Sequence, residues 1–191
     1  MLQAFVFNET AIIVRHWFEV GPDDDEHGAR LEIRERAQHP HRGSESAAQR
    51  IDLDGVLWRA DLFDLVGDEP GNFKRAHFHP EFEGIEPVGR SWEDDLSSDP
   101  FGWAEAQLSD YEGLVAKCGG ELADGPGEAS DVRRNLPEIM AAARRAAGVE
   151  CRSSSDCLDA TRDTTEIIDM MVSMFRGDSP NARDPRLTAS A

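Results

Sequence analysis

The stretch RIDLDGVLWRADLFDLV, residues 50–66, decides the fold. Apolar and polar positions alternate on both sides of Asp54-Gly55, the period of a strand with one buried face. Asp-Gly favours the positive φ angles of a type I′ turn, so the two halves are expected to pair as a hairpin. A two-residue loop sets Leu53 opposite Val56 and Ile51 opposite Trp58. These four, with Ala60 and Leu62, then share one face, while Asp52, Arg59 and Asp61 lie on the other. An antiparallel sheet with one apolar and one polar side follows.

The segments on either side extend that sheet. Residues 2–7 (LQAFVF) and 11–20 (AIIVRHWFEV) are rich in β-branched and aromatic residues, with Asn8-Glu9-Thr10 as the connection. The second run is apolar on both faces as far as His16, as an interior strand would be. Asp23 to Gly28 reads as a solvated acidic loop. Residues 29–36 (ARLEIRER) alternate, and residues 73–79 (FKRAHFH) supply a last strand that Pro80 ends. The expected sheet is a meander of about six strands. From Asp99 the period becomes helical. Asp99 caps, Pro100 suits the first turn, and Phe101, Ala104, Leu108, Tyr111, Val115 and Cys118 form a stripe. Residues 121–130 read as a linker. Asn135 to Glu138 has the form of a capping box opening a second helix to Gly148, and residues 157–176 read as a third. The whole is an α+β fold: one domain over residues 1–176, mainly β over 1–90 and mainly α over 99–176, with a disordered tail at 177–191.

Charge narrows the partners. The 191-residue chain carries 38 acidic against 20 basic side chains, a net charge of −18. Such a surface repels phosphate backbones and anionic lipid, so neither nucleic acid nor membrane is expected as a partner, and a basic protein is the easier one. The N-terminus reads as strand, not as a leader, and no apolar run reaches membrane-spanning length. Cys118, Cys151 and Cys157 are odd in number and irregularly spaced, which points to a reducing, cytoplasmic setting without a disulfide scaffold.

His77 and His79 are the one pair of residues with chemical promise. Two positions apart on a strand, they share a face. If Ala76 and Phe78 face the core, then Arg75, His77 and His79 face solvent and, with Glu83 and Arg90, offer a binding surface. Turned the other way, His77 and His79 with a nearby carboxylate suit a divalent transition metal. The spacing Gly71-x5-His77-x-His79-x3-Glu83 resembles the first motif of the cupin family. That resemblance implies a β-barrel in which His77, His79 and Glu83 are metal ligands. The chain departs from the family's pattern in that Gly89 comes one residue early and no histidine follows His79. No phosphate-binding glycine loop, HExxH or GxSxG is present. The expectation is a non-catalytic, inhibitor-like protein-binding module without a cofactor; the alternative is a metal-dependent enzyme using His77, His79 and Glu83.

Overall fold

Alternating side chains build four long strands: β1 (Leu2–Val6), β2 (Thr10–Glu19), β3 (Glu26–Ala37) and β4 (Asp52–Leu65). A short β5 (His77–His79) completes one antiparallel sheet in the order β1-β2-β3-β4-β5. A separate hairpin, β6 (Phe82–Glu83) with β7 (Glu86–Pro87), follows. Helices α1 (Asp94–Ser98), α2 (Pro100–Ser109), α3 (Tyr111–Lys117) and α4 (Gly125–Ala147) come next. The computed structural model describes residues 1–21, 24–40, 51–149, 151 and 153–158. The third helix expected at 157–176 and the tail at 177–191 lie almost wholly outside the described residues. The fold class is the expected one, an antiparallel meander packed by C-terminal helices. It is an open sheet, not the closed barrel that the cupin resemblance implies.

Asp54-Gly55 is no turn. β4 runs straight through it, and the register shift lies opposite, where Leu53 pairs with Arg36 and Val56 with Arg34. Asp54 and Gly55 together face the single residue Glu35, which makes the pair a β-bulge. A turn dipeptide inside a strand is resolved this way when the partner strand is long enough to bridge it. β3 is that partner: it begins at Glu26, so the expected acidic loop ends at Asp25, short of Gly28.

One face of the sheet carries Ile12, Val14, Leu31, Ile33, Trp58, Ala60 and Leu62, none more than 1% exposed. Helices α2 and α4 lie on it. Trp103 of α2 stacks on Trp58 with ring centroids 6.0 Å apart and meets Phe78 of β5 at 5.0 Å. The expected stripe from Ala104 to Val115 is buried, but Asp110 splits it into α2 and α3. The cap at Asp99 forms as expected, its side chain accepting from the Gly102 amide at 3.0 Å. The capping box at Asn135 does not. It lies inside α4, which starts ten residues earlier at Gly125 and is capped by Asp124, whose side chain accepts from Gly127. Pro137 is carried within that helix, where its missing N–H removes one bond from a long ladder without ending it.

A single carboxylate ties α4 to the first hairpin. Glu128, 3% exposed, accepts the backbone N–H groups of Asn8 (3.1 Å), Glu9 (3.1 Å) and Thr10 (2.8 Å). The Thr10 hydroxyl donates to Glu128 Oε1 at 2.7 Å, which leaves the Tyr111 hydroxyl to donate to Thr10 Oγ1, also at 2.7 Å. In return the Glu9 carboxylate accepts the Ala123 and Asp124 amides at 2.7 and 2.9 Å. Charge-assisted bonds to amides, here one buried and two partly buried, are costly to lose. Glu128→Ala is expected to lower stability by about 3 kcal/mol in urea denaturation, whereas Glu121→Ala on the exposed surface should stay within about 0.5 kcal/mol.

Candidate functional site

The second face of the sheet is polar in sequence yet buried in fact. Register places Arg15 beside Arg30, Arg30 beside Asp61 and Asp61 beside His77, one transverse row across four strands. The adjacent row holds Glu32, Arg59 and His79. Asp61 is 0% exposed, His77 1% and His79 2%. The expectation that Arg75, His77 and His79 point to solvent therefore fails for both histidines. Ala76 and Phe78 do face the helices, but the opposite face is roofed as well. Trp17 lies against Arg15 and Arg30 with guanidinium-to-ring distances of 4.3 and 4.5 Å, and Phe82 sits 5.8 Å from Arg59. The indole of Trp92 lies 6.2 Å from the His77 ring. Gly28, between Trp17 and Phe63 in register, has φ of +154°, and a Cβ there would meet the Leu62 carbonyl at 2.2 Å.

Asp61 is the hub. Arg30 grips it as a fork, Nε to Oδ1 at 2.6 Å and Nη2 to Oδ2 at 3.1 Å. Arg59 Nε stands 3.1 Å from Oδ2. The Nε2 atoms of His77 and His79 stand 3.4 and 3.3 Å from the same oxygen. Burial alone would raise the Asp61 pKa. The charge of Arg30, the two imidazoles and then Arg59 outweigh it and hold the carboxyl well below its ordinary value. The same pairing raises Arg30 against the downward pull of its burial, whereas at Arg59 burial wins and lowers it.

Each imidazole is oriented by a backbone carbonyl. His77 Nδ1 donates to Arg75 O at 2.7 Å and His79 Nδ1 to Gly89 O at 2.6 Å. A carbonyl only accepts, so Nδ1 carries a proton in both rings, and Nε2 is the atom that each ring turns toward Asp61 Oδ2. Three converging acceptors with outer carbonyl partners are what a two-histidine, one-carboxylate metal site requires. Here Arg59 already stands in the cation's place. Its Nη2 donates to His79 Nε2 at 3.0 Å while its Nε faces Oδ2. His77 Nε2 is left without a hydrogen-bond partner, as is Arg59 Nε despite its closeness to Oδ2.

The other expected site residues lie around the network. Glu83 is exposed on β6 and is not among the converging groups, so the carboxylate beside the histidines is Asp61 and not the residue of the cupin-like motif. Arg75 pairs with Asp24 at 2.9 Å and approaches Glu26 at 3.6 Å. Arg90 pairs with Glu19 at 2.6 Å and Glu26 at 3.3 Å. Arg30 and Arg59, central to the geometry, were not singled out by sequence. Their signal was there as charge complementarity, Arg30 and Glu32 facing Asp61 and Arg59, but it can be read only once the β3–β4 register is known. Depressions on the surface lined by residues 68–72 with Lys74, and by residues 5–8 with Asp131, Arg134 and Asn135, include no member of the network. No protein-family model matches this chain, and no curated protein or solved structure matches it either.

Removing Asp61 leaves two buried guanidiniums facing each other. Asp61→Asn is expected to cost about 3–5 kcal/mol at pH 7, the range for breaking a buried ion pair. The folded-state carboxyl titrates below its unfolded value of about 3.9, so its contribution is complete above about pH 5 and is lost as pH falls through 4 and below. Urea denaturation of both proteins from pH 7 to 3 should therefore show the gap narrowing on the acid side. A gap that stays constant would mean that Asp61 is not held ionised by its partners.

Proposed function

We propose that this protein is a non-catalytic, inhibitor-like binding module that presents the β6–β7 hairpin and the following residues to a basic protein partner. One observation carries this reading. Ile85, Val88 and Trp92 are 62, 58 and 62% exposed within a single short stretch. Around them Glu81, Glu83, Glu86, Glu93, Asp94 and Asp95 are all exposed. The sole basic side chain between residues 80 and 95, Arg90, is occupied by Glu19 and Glu26. Apolar anchors fenced by carboxylates suit a cationic surface that has apolar pockets of its own. The carboxylates repel nucleic acid. Among the described residues no helix is long and apolar enough to cross a membrane.

The buried network supports this reading by holding the hairpin rigid. His79 takes hold of Gly89, and Ser91 bonds both ways with Phe78 at 2.9 and 2.8 Å. Val88 N–H donates to Glu81 O at 3.0 Å. A loop fixed in advance loses little entropy on binding, the usual advantage of an inhibitory loop. His77, His79, Arg75 and Arg90 then serve as floor and struts, and Glu83 as part of the contact surface.

A second reading is favoured by the convergence of His77, His79 and Asp61: a divalent transition metal held there in an enzyme. It requires Arg59 to withdraw and Arg30 to tolerate a dication across one carboxylate. With all three ligands at most 2% exposed, a substrate would also need the hairpin to lift. Cobalt(II) titration separates the readings, because His77→Ala should abolish any cobalt absorption that arises at this site.

The binding reading is tested with a synthetic cationic amphipathic peptide of alternating lysine and leucine, followed by calorimetry. Association is expected at low salt, weakening as salt rises. Trp92→Ala should weaken it by about 30-fold, the scale of a tryptophan hot spot, while Glu138→Ala on α4 should change it little. Absence of binding, or equal binding by Trp92→Ala, would remove the hairpin from the interface.

A further inference from the structure

On the helix-covered face, at the end of the sheet away from the β1–β2 turn, a second set of ligand-type side chains meets. His16 comes from β2 and His27 from β3. Cys151 follows α4, and Cys157 lies in a helical turn at residues 154–158. All four are enclosed, at 0, 5, 8 and 0% exposure respectively. Phe18, Val66 and Val149 pack around the cysteines and keep water out. Cys151 and Cys157 are joined as a disulfide.

We propose that His16, His27, Cys151 and Cys157 are the four ligands of a zinc ion, which the protein binds when the two cysteines are reduced. Three observations of geometry lead there. His16, His27 and Cys151 each offer a ligand atom within 4.8 Å of the others, and Cys157, bonded to Cys151, holds a second sulfur beside that group. Cys151 Sγ lies 3.6 Å from His16 Nε2. A tetrahedral zinc with Zn–S near 2.3 Å and Zn–N near 2.0 Å separates sulfur from nitrogen by about 3.5 Å, so this pair needs almost no movement. Finally, His16 Nδ1 donates to Ala146 O at 3.3 Å, which leaves Nε2 as the lone pair facing sulfur, the outer-partner arrangement of zinc-bound imidazole.

Two further features agree with a ligand between these rings. His27 Nδ1 is buried with no hydrogen-bond partner, an expense that a bound ion would remove. Burial also pushes His16 down to about 4, and His27 down as well, so both rings are neutral and able to ligate at pH 7. The donor set of two imidazoles and two thiolates selects zinc over calcium or magnesium.

The chemistry balances in two steps. A dithiol reductant transfers two electrons and two protons to the Cys151–Cys157 bond, giving two thiols and leaving the reductant as its own disulfide. Zinc(II) then displaces the two thiol protons, which pass to buffer, and forms two Zn–S and two Zn–N bonds. A small-molecule disulfide oxidant, which takes two electrons from the two thiolates and leaves as two thiols after picking up two protons from buffer, re-forms the Cys151–Cys157 bond and releases the ion. When reduced, the metal would fasten the chain beyond α4 to His16 and His27 at the end of the sheet; when oxidised, the disulfide closes a loop within that segment alone.

The test uses the full chain, reduced with a dithiol under zinc and then freed of excess metal. Mass spectrometry of metal content should find a single zinc per chain. Cobalt(II) substitution should add a sulfur-to-metal charge-transfer band in the near ultraviolet, a signature that the Asp61–His77–His79 cluster cannot produce. Cys157→Ser and His27→Gln should each weaken zinc by at least the roughly 10–100-fold that even an outer-shell partner is worth. Circular dichroism checks that each variant keeps its fold, and oxidising the wild type should release the zinc. Reduced, folded wild type with no zinc would overturn the proposal. So would a Cys157→Ser variant that kept the wild-type affinity and charge-transfer band.

Discussion

The fold rests on one ion pair at the centre of the sheet, the fork of Arg30 on Asp61. A carboxylate with no exposure is tolerable only if its charge is met within hydrogen-bond distance. Arg30 supplies that from the neighbouring strand, directly opposite in register. The pair does more than neutralise itself. It gives the imidazoles of His77 and His79 an anion to converge on, and these in turn hold Arg75 O and Gly89 O. The shortest strand of the five-stranded sheet, β5, and the chain beyond it are thus secured through polar contacts where there are too few residues for an apolar face. A register slip by one residue would turn Asp61 toward the helices and its apolar neighbours Ala60 and Leu62 toward the arginines. The pair therefore specifies alignment as well as contributing to stability.

The apolar half of the architecture was legible and the polar half was not. The alternation from Val56 to Leu62 and the stripe from Ala104 to Val115 follow from periodicity alone, because one buried face imposes a period wherever it occurs. The error at Asp54-Gly55 came from local turn chemistry, which a long β3 overrode by accommodating the pair as a bulge. The error at Asn135 has the same form: a capping pattern inside a helix whose real cap, Asp124, lies in what reads as a linker. Reading His77 and His79 as exposed assumed that a polar face is a wet face. Arg15, Arg30, Glu32, Arg59 and Asp61 break that assumption because they satisfy one another across strands. Such pairing has no one-dimensional signature. It exists only between positions that register brings together, and Glu83, near in sequence, is excluded by the same geometry that admits Asp61.

The distribution of charge joins the network to the surface. Arg15, Arg30, Arg59, Arg75 and Arg90 are paired among Glu19, Asp24, Glu26, Glu32 and Asp61. Five cations meet five anions, so this assembly is neutral and the whole net charge of −18 belongs to the rest of the chain. The arginines that would otherwise moderate the surface are taken up by these pairs. What remains outside is dominated by carboxylates, and the exposed apolar side chains at Ile85, Val88 and Trp92 stand among them. Interior pairing and exterior acidity are thus two consequences of one partition. The field around the hairpin is thus one that the arginines, already paired with carboxylates, do little to cancel.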